Sequence, residues 1–333
     1  MNNKVLIIAE GGVNHNGNIS LAKKLISRAK NCGADYIKFQ YYITENIILK
    51  KSKLANYQIK NSINKSNQYD LLKKLELNQD QVYELVKFAK KINQKIFFSV
   101  FDNESFNFIH TFKFDYIKIP SGEIDNYSLL NSISKTKNKI ILSTGMSNLY
   151  EIKQALKILT KNTIPKKNIN ILHCNTEYPS PIKDINMNSM ITLKEKLRVN
   201  IGYSDHSNSS EVPITATSLG AKFIEKHFTL NRKLSGPDHN SSFIPQEFKK
   251  MVNNIRNTEI ILGSFTKKLS SSEKNNIKVV RKSIVASQNI KKSDVFSEKN
   301  ITIKRPGTGI PSSLFYKMIG RKSKKNYKKN QQI

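Results

Sequence analysis

VLIIAEGGVNHNGNISLAKKLISRAKNCGADYIKFQ, residues 5–40, holds a complete strand–helix–strand unit. Val5 to Ala9 is an unbroken apolar run, the pattern of a strand buried on both faces. Ser20 to Cys32 carries a helical period, and Tyr36 to Gln40 is a second short run with aromatic and β-branched residues. A helix between two such runs forms a crossover, so the strands lie parallel. The alternation recurs in IFFSV (Ile96 to Val100), YIKIP (Tyr116 to Pro120), KIILS (Lys139 to Ser143), INILH (Ile169 to His173), NIGYS (Asn200 to Ser204) and FIEKH (Phe223 to His227). Helical stretches such as Tyr150 to Thr160 separate these runs. Eight strands, each followed by a helix, predict a closed (β/α)8 TIM barrel rather than an open doubly wound sheet.

At 333 residues the chain has room for one barrel of about 250 residues and a small second unit. The polar stretch KKLSSSEKNNI, Lys267 to Ile277, reads as a linker. The expected division is a barrel at 1–265, a connector at 266–278 and a C-terminal unit at 279–333. That last unit offers two strand-like pieces, SIVASQNI and NITIKRPG, and a turn rich in Gly and Pro from Pro306 to Ser313. So short a unit is marginal alone and is expected to lean on the barrel or on a second chain. Between Tyr41 and Glu76 the chain exceeds an ordinary βα loop, and long loops at the carboxyl ends of barrel strands commonly form lids or substrate-binding segments.

Lys and Arg number 56 against 25 Asp and Glu, a net charge of +31 that could neutralise nucleic-acid phosphates. The distribution argues against that use. Only 7 of the cations are Arg against 49 Lys, spread over nearly every expected helix and loop without an arginine-rich, aromatic-interleaved stripe. No specific nucleic-acid partner is expected. No run approaches the roughly 20 apolar residues that span a bilayer. The N-terminus lacks the basic and apolar regions of an export signal, so a cytoplasmic location without a membrane partner is expected. Two cysteines, Cys32 and Cys174, are too few for a disulfide framework and read as structural.

Side chains at the carboxyl ends of barrel strands converge on one mouth, and polar residues gather there. Strand one ends in Glu10, strand two in Lys38 and Gln40, strand four in Lys118, Ser121 and Glu123, and strand five in Ser143. Strand six ends in His173, Asn175 and Tyr178, strand seven in Ser204, Asp205 and His206, and strand eight in Glu225 and His227. His206 and His227 end adjacent strands with carboxylates nearby, which points to a divalent metal. Two imidazoles without a thiolate suit Mn2+ or a similar ion acting as a Lewis acid. Lys38 and Lys118 alternate with apolar neighbours, and with the serine hydroxyls they form a candidate cradle for a phosphate or carboxylate. Glu10 and Glu123 are then candidates for proton transfer or for holding sugar hydroxyls.

The chain resembles the N-acetylneuraminate (sialic acid) synthase family. The motifs in order are AEGGVNHNG, GADYIKFQ, YQIKNS, IKIPSGEI, ILSTGM, LHCNTEYPSP, GYSDHS, EKHFTL, SGPDH and FSEKNITIKRPGTGI. The C-terminal unit resembles the antifreeze-like SAF domain of such synthases. The resemblance implies a metal-assisted transferase that condenses phosphoenolpyruvate with N-acetylmannosamine and water, giving N-acetylneuraminate and phosphate. It assigns Lys38, Lys118, Ser121, Ser143 and Ser204 to phosphoenolpyruvate, and His206 and His227 to Mn2+, with Mg2+ or Co2+ as alternatives. Glu10, Gln40, Glu123, Tyr178, Glu225 and Asp238 would meet the acceptor; some relatives have asparagine where Thr176 stands, and Asn175, one residue earlier, would offer a rearranged amide contact to the enol substrate. Arg305 would reach the acceptor's N-acetyl group in the site of a domain-swapped homodimer partner.

Where the family carries STPFD on strand three, this chain has Phe98-Ser99-Val100-Phe101-Asp102, without the proline but with the hydroxyl and the acid retained. Alternatives on the same residues are a 2,4-diacetamido-2,4,6-trideoxymannose acceptor leading to legionaminic acid, a Schiff-base aldolase using Lys118, and a non-catalytic sugar-binding protein. AEGGVNHNG and KFQ resemble the pseudaminic acid branch less.

Overall fold

The structure is a computed structural model that describes residues 4–54 and 67–333, so the motif YQIKNS lies outside the described residues. Eight parallel strands close into a barrel in chain order: β1 (Leu6–Gly12), β2 (Tyr36–Tyr41), β3 (Lys95–Val100), β4 (Tyr116–Ile119), β5 (Lys139–Ser143), β6 (Ile169–Cys174), β7 (Asn200–Asp205) and β8 (Phe223–His227). The expected (β/α)8 barrel is therefore present. Closure is direct, since Leu6 to Glu10 on β1 pair with Phe223 to His227 on β8.

Crossover helices such as Ile19–Asn31 and Leu149–Leu159 pack outside the strands. The first is capped by Asn18, whose side chain accepts from Leu21 N, and it buries Ala22, Leu25, Ile26 and Ala29, one apolar stripe at helical spacing. Among the described residues no helix is long and apolar enough to cross a membrane.

The barrel interior is layered. Ile8, Tyr36, Phe97, Tyr116, Ile141, Leu172 and Phe223 form one buried apolar cluster, contributed by seven strands. Strand side chains repeat every second residue. Two positions on stand Glu10, Lys38, Ser99, Lys118, Ser143, Cys174 and Glu225, all buried, so a polar layer rests on an apolar floor. At β7 the floor position is Gly202, where an added Cβ would meet Phe223 O at 2.5 Å and Leu172 Cδ2 at 2.6 Å. Gly202→Ala is expected to destabilise by about 1–3 kcal/mol through overpacking, read as a lowered urea midpoint. Gly122→Ala is the control: an added Cβ there meets nothing within 4 Å, and its midpoint should barely move.

The chain forms two compact units, Met1–Gly263 and Ser264–Ile333. In the second, Ser283–Ala286 (β9) pairs antiparallel with Ile301–Lys304 (β10) over a core of Ile284, Ala286, Ile290, Phe296 and Ile301. A helix, Lys274–Val280, begins inside the polar stretch expected as a linker and runs past its end, and Gly307 N donates to Lys278 O at 2.9 Å. The lysines and serines of that stretch masked the short Ile277 to Val280 run that the helix carries.

Candidate active site

A cavity of about 710 Å³ opens at the carboxyl ends of the strands. Its lining includes Glu10, Lys38, Gln40, Lys118, Ser121, Glu123, Ser143, Tyr178, Ser204, His206, Glu225, His227 and Asp238, thirteen of the residues singled out from sequence. The β2 loop supplies an opposite, apolar wall, with Tyr42, Ile47, Leu72 and Leu75 beside Val13 and Phe101. This is the described part of the long Tyr41 to Glu76 segment.

Both lysines point inward and are buried. Neither is bare. Lys38 Nζ lies 2.7 Å from Glu10 Oε2 and 3.7 Å from Glu225 Oε2, and it donates to Ser99 Oγ at 2.8 Å. Lys118 Nζ donates to both oxygens of Glu225, at 2.9 and 3.1 Å. Ser204 Oγ donates to Glu225 Oε1 at 2.9 Å, and Gln40 Nε2 to Glu10 Oε1 at 3.3 Å. Two ammonium groups and two carboxylates thus form a buried cluster of zero formal charge. Ser99, in sequence a retained hydroxyl without an assigned role, bonds Lys38 directly, and its place two residues after Phe97 is the signal that locates it.

Electrostatics follow from who touches whom. Burial opposes charge on Glu225, but Lys118 and Lys38 outweigh it and hold the carboxyl down at about 2. Glu10 faces one lysine closely, and burial with the Glu225 charge raises its carboxyl above the usual range. Burial pulls Lys38 down while Glu10 and Glu225 more than compensate, so its ammonium is favoured. Lys118 is lowered by burial, with Lys38 adding repulsion. Burial, helped by the Glu10 charge, pushes Asp238 up to about 7.

The two histidines come together with ring centroids 5.3 Å apart. Tyr178 stacks on His206 at 4.2 Å and meets His227 edge-on at 5.5 Å. The carbonyl of Asn175 accepts from His206 Nδ1, which fixes the proton there and leaves Nε2 with its lone pair. The Oγ of Ser204 lies 3.3 Å from that Nε2, with its proton engaged by Glu225, and the Tyr178 hydroxyl lies 3.4 Å from the same nitrogen. Among the described residues His227 Nδ1 is buried without a hydrogen-bond partner, 3.9 Å from Asp238 Oδ2. Burial lowers both imidazoles, His206 to about 4, so both are neutral and able to act as ligands.

Three expectations change. Asn175 is not in the cavity: its side chain accepts from Glu177 N at 2.7 Å and shapes the turn after β6, while Thr176 takes the lining position. Alternation along β7 sends Asp205 out of the cavity, where it pairs with Lys226 at 2.7 Å. His173 likewise faces away, bonding the Ile185 carbonyl at 2.8 Å. Arg305 lies exposed in the second unit, just before a cis proline.

The NHN of AEGGVNHNG latches the loop that carries Asp238. Asn14 Nδ2 donates to Ser242 Oγ at 2.9 Å, which donates to Asp238 O at 2.6 Å, and Asn16 Nδ2 donates to Ser235 O at 2.8 Å. His239, buried with them, meets Thr229 Oγ1 at 2.7 Å. Burial, with the charge of His239 adding to it, holds His15 down at about 4. The folded state therefore resists protonation there, and stability present above pH 6.5 is lost as pH falls toward 4. The contribution is on the order of 3 kcal/mol. Urea midpoints of chelator-treated protein should drop between pH 6.5 and 4.5, and His15→Gln should shrink that drop.

The NeuB family matches residues 25–267, and the SAF domain matches residues 281–333. The chain is 46% identical over 330 residues to N,N'-diacetyllegionaminic acid synthase of Campylobacter jejuni, covering 99% of each chain. It is 38% identical to the Legionella pneumophila protein of that name, covering 96% of this chain and 90% of the relative. The crystal structure of N-acetylneuraminic acid synthetase from Leptospira borgpetersenii, in complex with citrate, matches with a TM-score of 0.72 at 34% identity, over 83% of this chain and 91% of that one. With an eight-stranded barrel matched by the NeuB family over residues 25–267 and a C-terminal SAF domain, this chain belongs to the NeuB family of sialic acid synthases.

Proposed function

We propose that the chain condenses phosphoenolpyruvate with an N-acylated amino sugar and water, forming a nine-carbon 2-keto acid and inorganic phosphate. The observation that carries this reading is one cavity holding two buried ammonium groups and two neutral, converging imidazoles. Lys38 and Lys118, with Ser121, Ser143 and Ser204, would hold the phosphate and carboxylate of the enol substrate as fixed point charges. The Oγ of Ser143 is buried without a hydrogen-bond partner among the described residues, as expected of a hydroxyl kept for a ligand. Glu225 and Glu10 keep the lysines in place until the dianion arrives.

Two imidazoles could hold a divalent cation: His206 offers Nε2 and His227 a buried nitrogen without a partner among the described residues, where no third His, Cys, Asp or Glu groups with them as a ligand. Mn2+ is the first choice, with Mg2+ or Co2+ as alternatives, and when bound such an ion supplies Lewis-acid polarisation of a substrate oxygen. Glu10, Gln40, Glu123, Tyr178 and Asp238 would orient the acceptor so that its aldehyde faces C3 of phosphoenolpyruvate. Bond formation leaves positive charge at C2. Water adds there, and phosphate departs by C–O cleavage.

For the acceptor we favour a 2,4-diacetamido-2,4,6-trideoxymannose over N-acetylmannosamine. The names of the Campylobacter and Legionella relatives support it. So does the apolar wall of Val13, Tyr42, Ile47, Leu72, Leu75 and Phe101, which suits a C6 methyl and a second acetyl group. Apolar pockets discriminate such groups by about 1–3 kcal/mol, so kcat/KM should favour the trideoxy sugar by roughly 10- to 200-fold. Phosphate release is measured with phosphoenolpyruvate, Mn2+ and each sugar in turn. Release that ignores the sugar, or a borohydride-stable adduct of Lys118 with pyruvate, would defeat this reading.

Arg305 completes it as a residue offered by a second copy in a domain-swapped homodimer. Arg305→Ala should raise the acceptor KM by a larger factor than the phosphoenolpyruvate KM, and equal changes in both would remove the arginine from the acceptor's surroundings.

A further inference from the structure

Strands β7 and β8 reach the cavity with Ser204-Asp205-His206 and Glu225-Lys226-His227. In each tripeptide the outer two residues line the cavity, and alternation turns the middle one to the opposite face. Those middle residues are partners in strand register. Lys226 Nζ lies 2.7 Å from Asp205 Oδ2, with both side chains fully buried. It also donates to the Ser207 carbonyl. Asp205 Oδ1 accepts from Ser207 N at 2.9 Å, and the Phe243 ring covers the ammonium at 4.1 Å. Both chain neighbours of His206 are thus bound to the residue that precedes His227.

A buried ion pair adds little net stability, because desolvation offsets the attraction; its better-attested use is to specify one arrangement among several. In a strand pair the alternative is a shifted register, and a slip by one residue turns every inward side chain outward. Such a slip here would separate Ser204 from Glu225, now 2.9 Å apart, and His206 from His227.

We propose that Lys226 and Asp205 are positioning residues whose ion pair locks β7 against β8 so that His206 and His227 converge on one divalent cation. The proposal rests on the metal reading above. Neither residue touches substrate. They act through the histidines, as outer-shell partners do in metal sites, where their loss commonly costs about 10- to 100-fold in metal affinity.

The test is a titration of chelator-stripped protein with Mn2+ alone, followed by EPR, alongside a urea unfolding curve. The double variant Asp205→Asn/Lys226→Met removes both charges while leaving an oxygen for Ser207 N. Its urea midpoint should stay close to that of the wild type, whereas its Mn2+ dissociation constant rises at least about tenfold. A folded double variant with wild-type Mn2+ affinity overturns the lock. If that variant does not fold, Asp205→Glu, which keeps both charges but lengthens the link, carries the test: a measurable loss of Mn2+ affinity supports the lock and an unchanged affinity overturns it. His206→Ala separates the two ideas. Mn2+ binding by the wild type that survives His206→Ala defeats the metal reading itself.

Discussion

Replacing His227 with alanine is expected to lower turnover of phosphoenolpyruvate at least about a thousandfold, the scale on which losing one preorganised charge-stabilising group acts. The same change should scarcely disturb folding. His227 Nδ1 is buried without a hydrogen-bond partner among the described residues, and a group in that condition costs a folded protein about 1–3 kcal/mol. Truncation removes this penalty while opening a small cavity, so the two effects oppose each other. A side chain that function needs and stability does not is what a ligand looks like. Steady-state kinetics, Mn2+ titration and a urea curve on one preparation check the three parts. Unchanged turnover in the chelator-treated variant would remove His227 from the metal site.

The second large effect concerns Glu225, which lies between Lys118 and Lys38. Glu225→Ala leaves Lys118 buried without its carboxylate, and an uncompensated buried charge commonly destabilises by about 3–5 kcal/mol. For a chain of this size that is roughly 4–7 °C in Tm. Because the proposed substrate is itself an anion at this position, phosphoenolpyruvate should restore part of the loss. Its stabilising effect on the variant should exceed its effect on the wild type, where it must share the lysines with Glu225. Thermal unfolding of metal-free protein with and without phosphoenolpyruvate reads this directly. Equal ligand-induced shifts in both proteins would show that the dianion does not sit between the lysines.

Much of this architecture is legible in the residues. Seven of the eight strand runs lie within one residue of the observed strands, because a strand buried on both faces is a short apolar run bounded by polar loops; β1 continues to Gly12, three residues past the apolar run. Lys38 and Lys118 were placed inward by alternation alone, and they are inward. Their counterions were not legible. Glu10 meets Lys38 across neighbouring strands, but Lys118 on β4 meets Glu225 on β8, a contact that only barrel closure creates. Asn175 and Thr176 exchanged places because a turn follows β6, and a turn breaks the two-residue period on which inward or outward placement depends. Asp205 and Lys226 obeyed that period. Read strictly, it puts both of them outside the cavity and opposite each other. The roles of Asn14 and Asn16 were hidden for another reason, since the loop they latch is more than 200 residues away in sequence.

The central claim is that two buried ammonium groups hold the enol phosphate so that its C–O bond, not its P–O bond, breaks after the new carbon–carbon bond forms. Phosphoenolpyruvate carrying 18O at the bridging oxygen, incubated with Mn2+ and the diacetamido-trideoxy sugar, tests it in one mass spectrum. The expected result is phosphate that retains the label, together with a nine-carbon keto acid formed in equal amount. Unlabelled phosphate, or labelled phosphate without the nine-carbon acid, would contradict it.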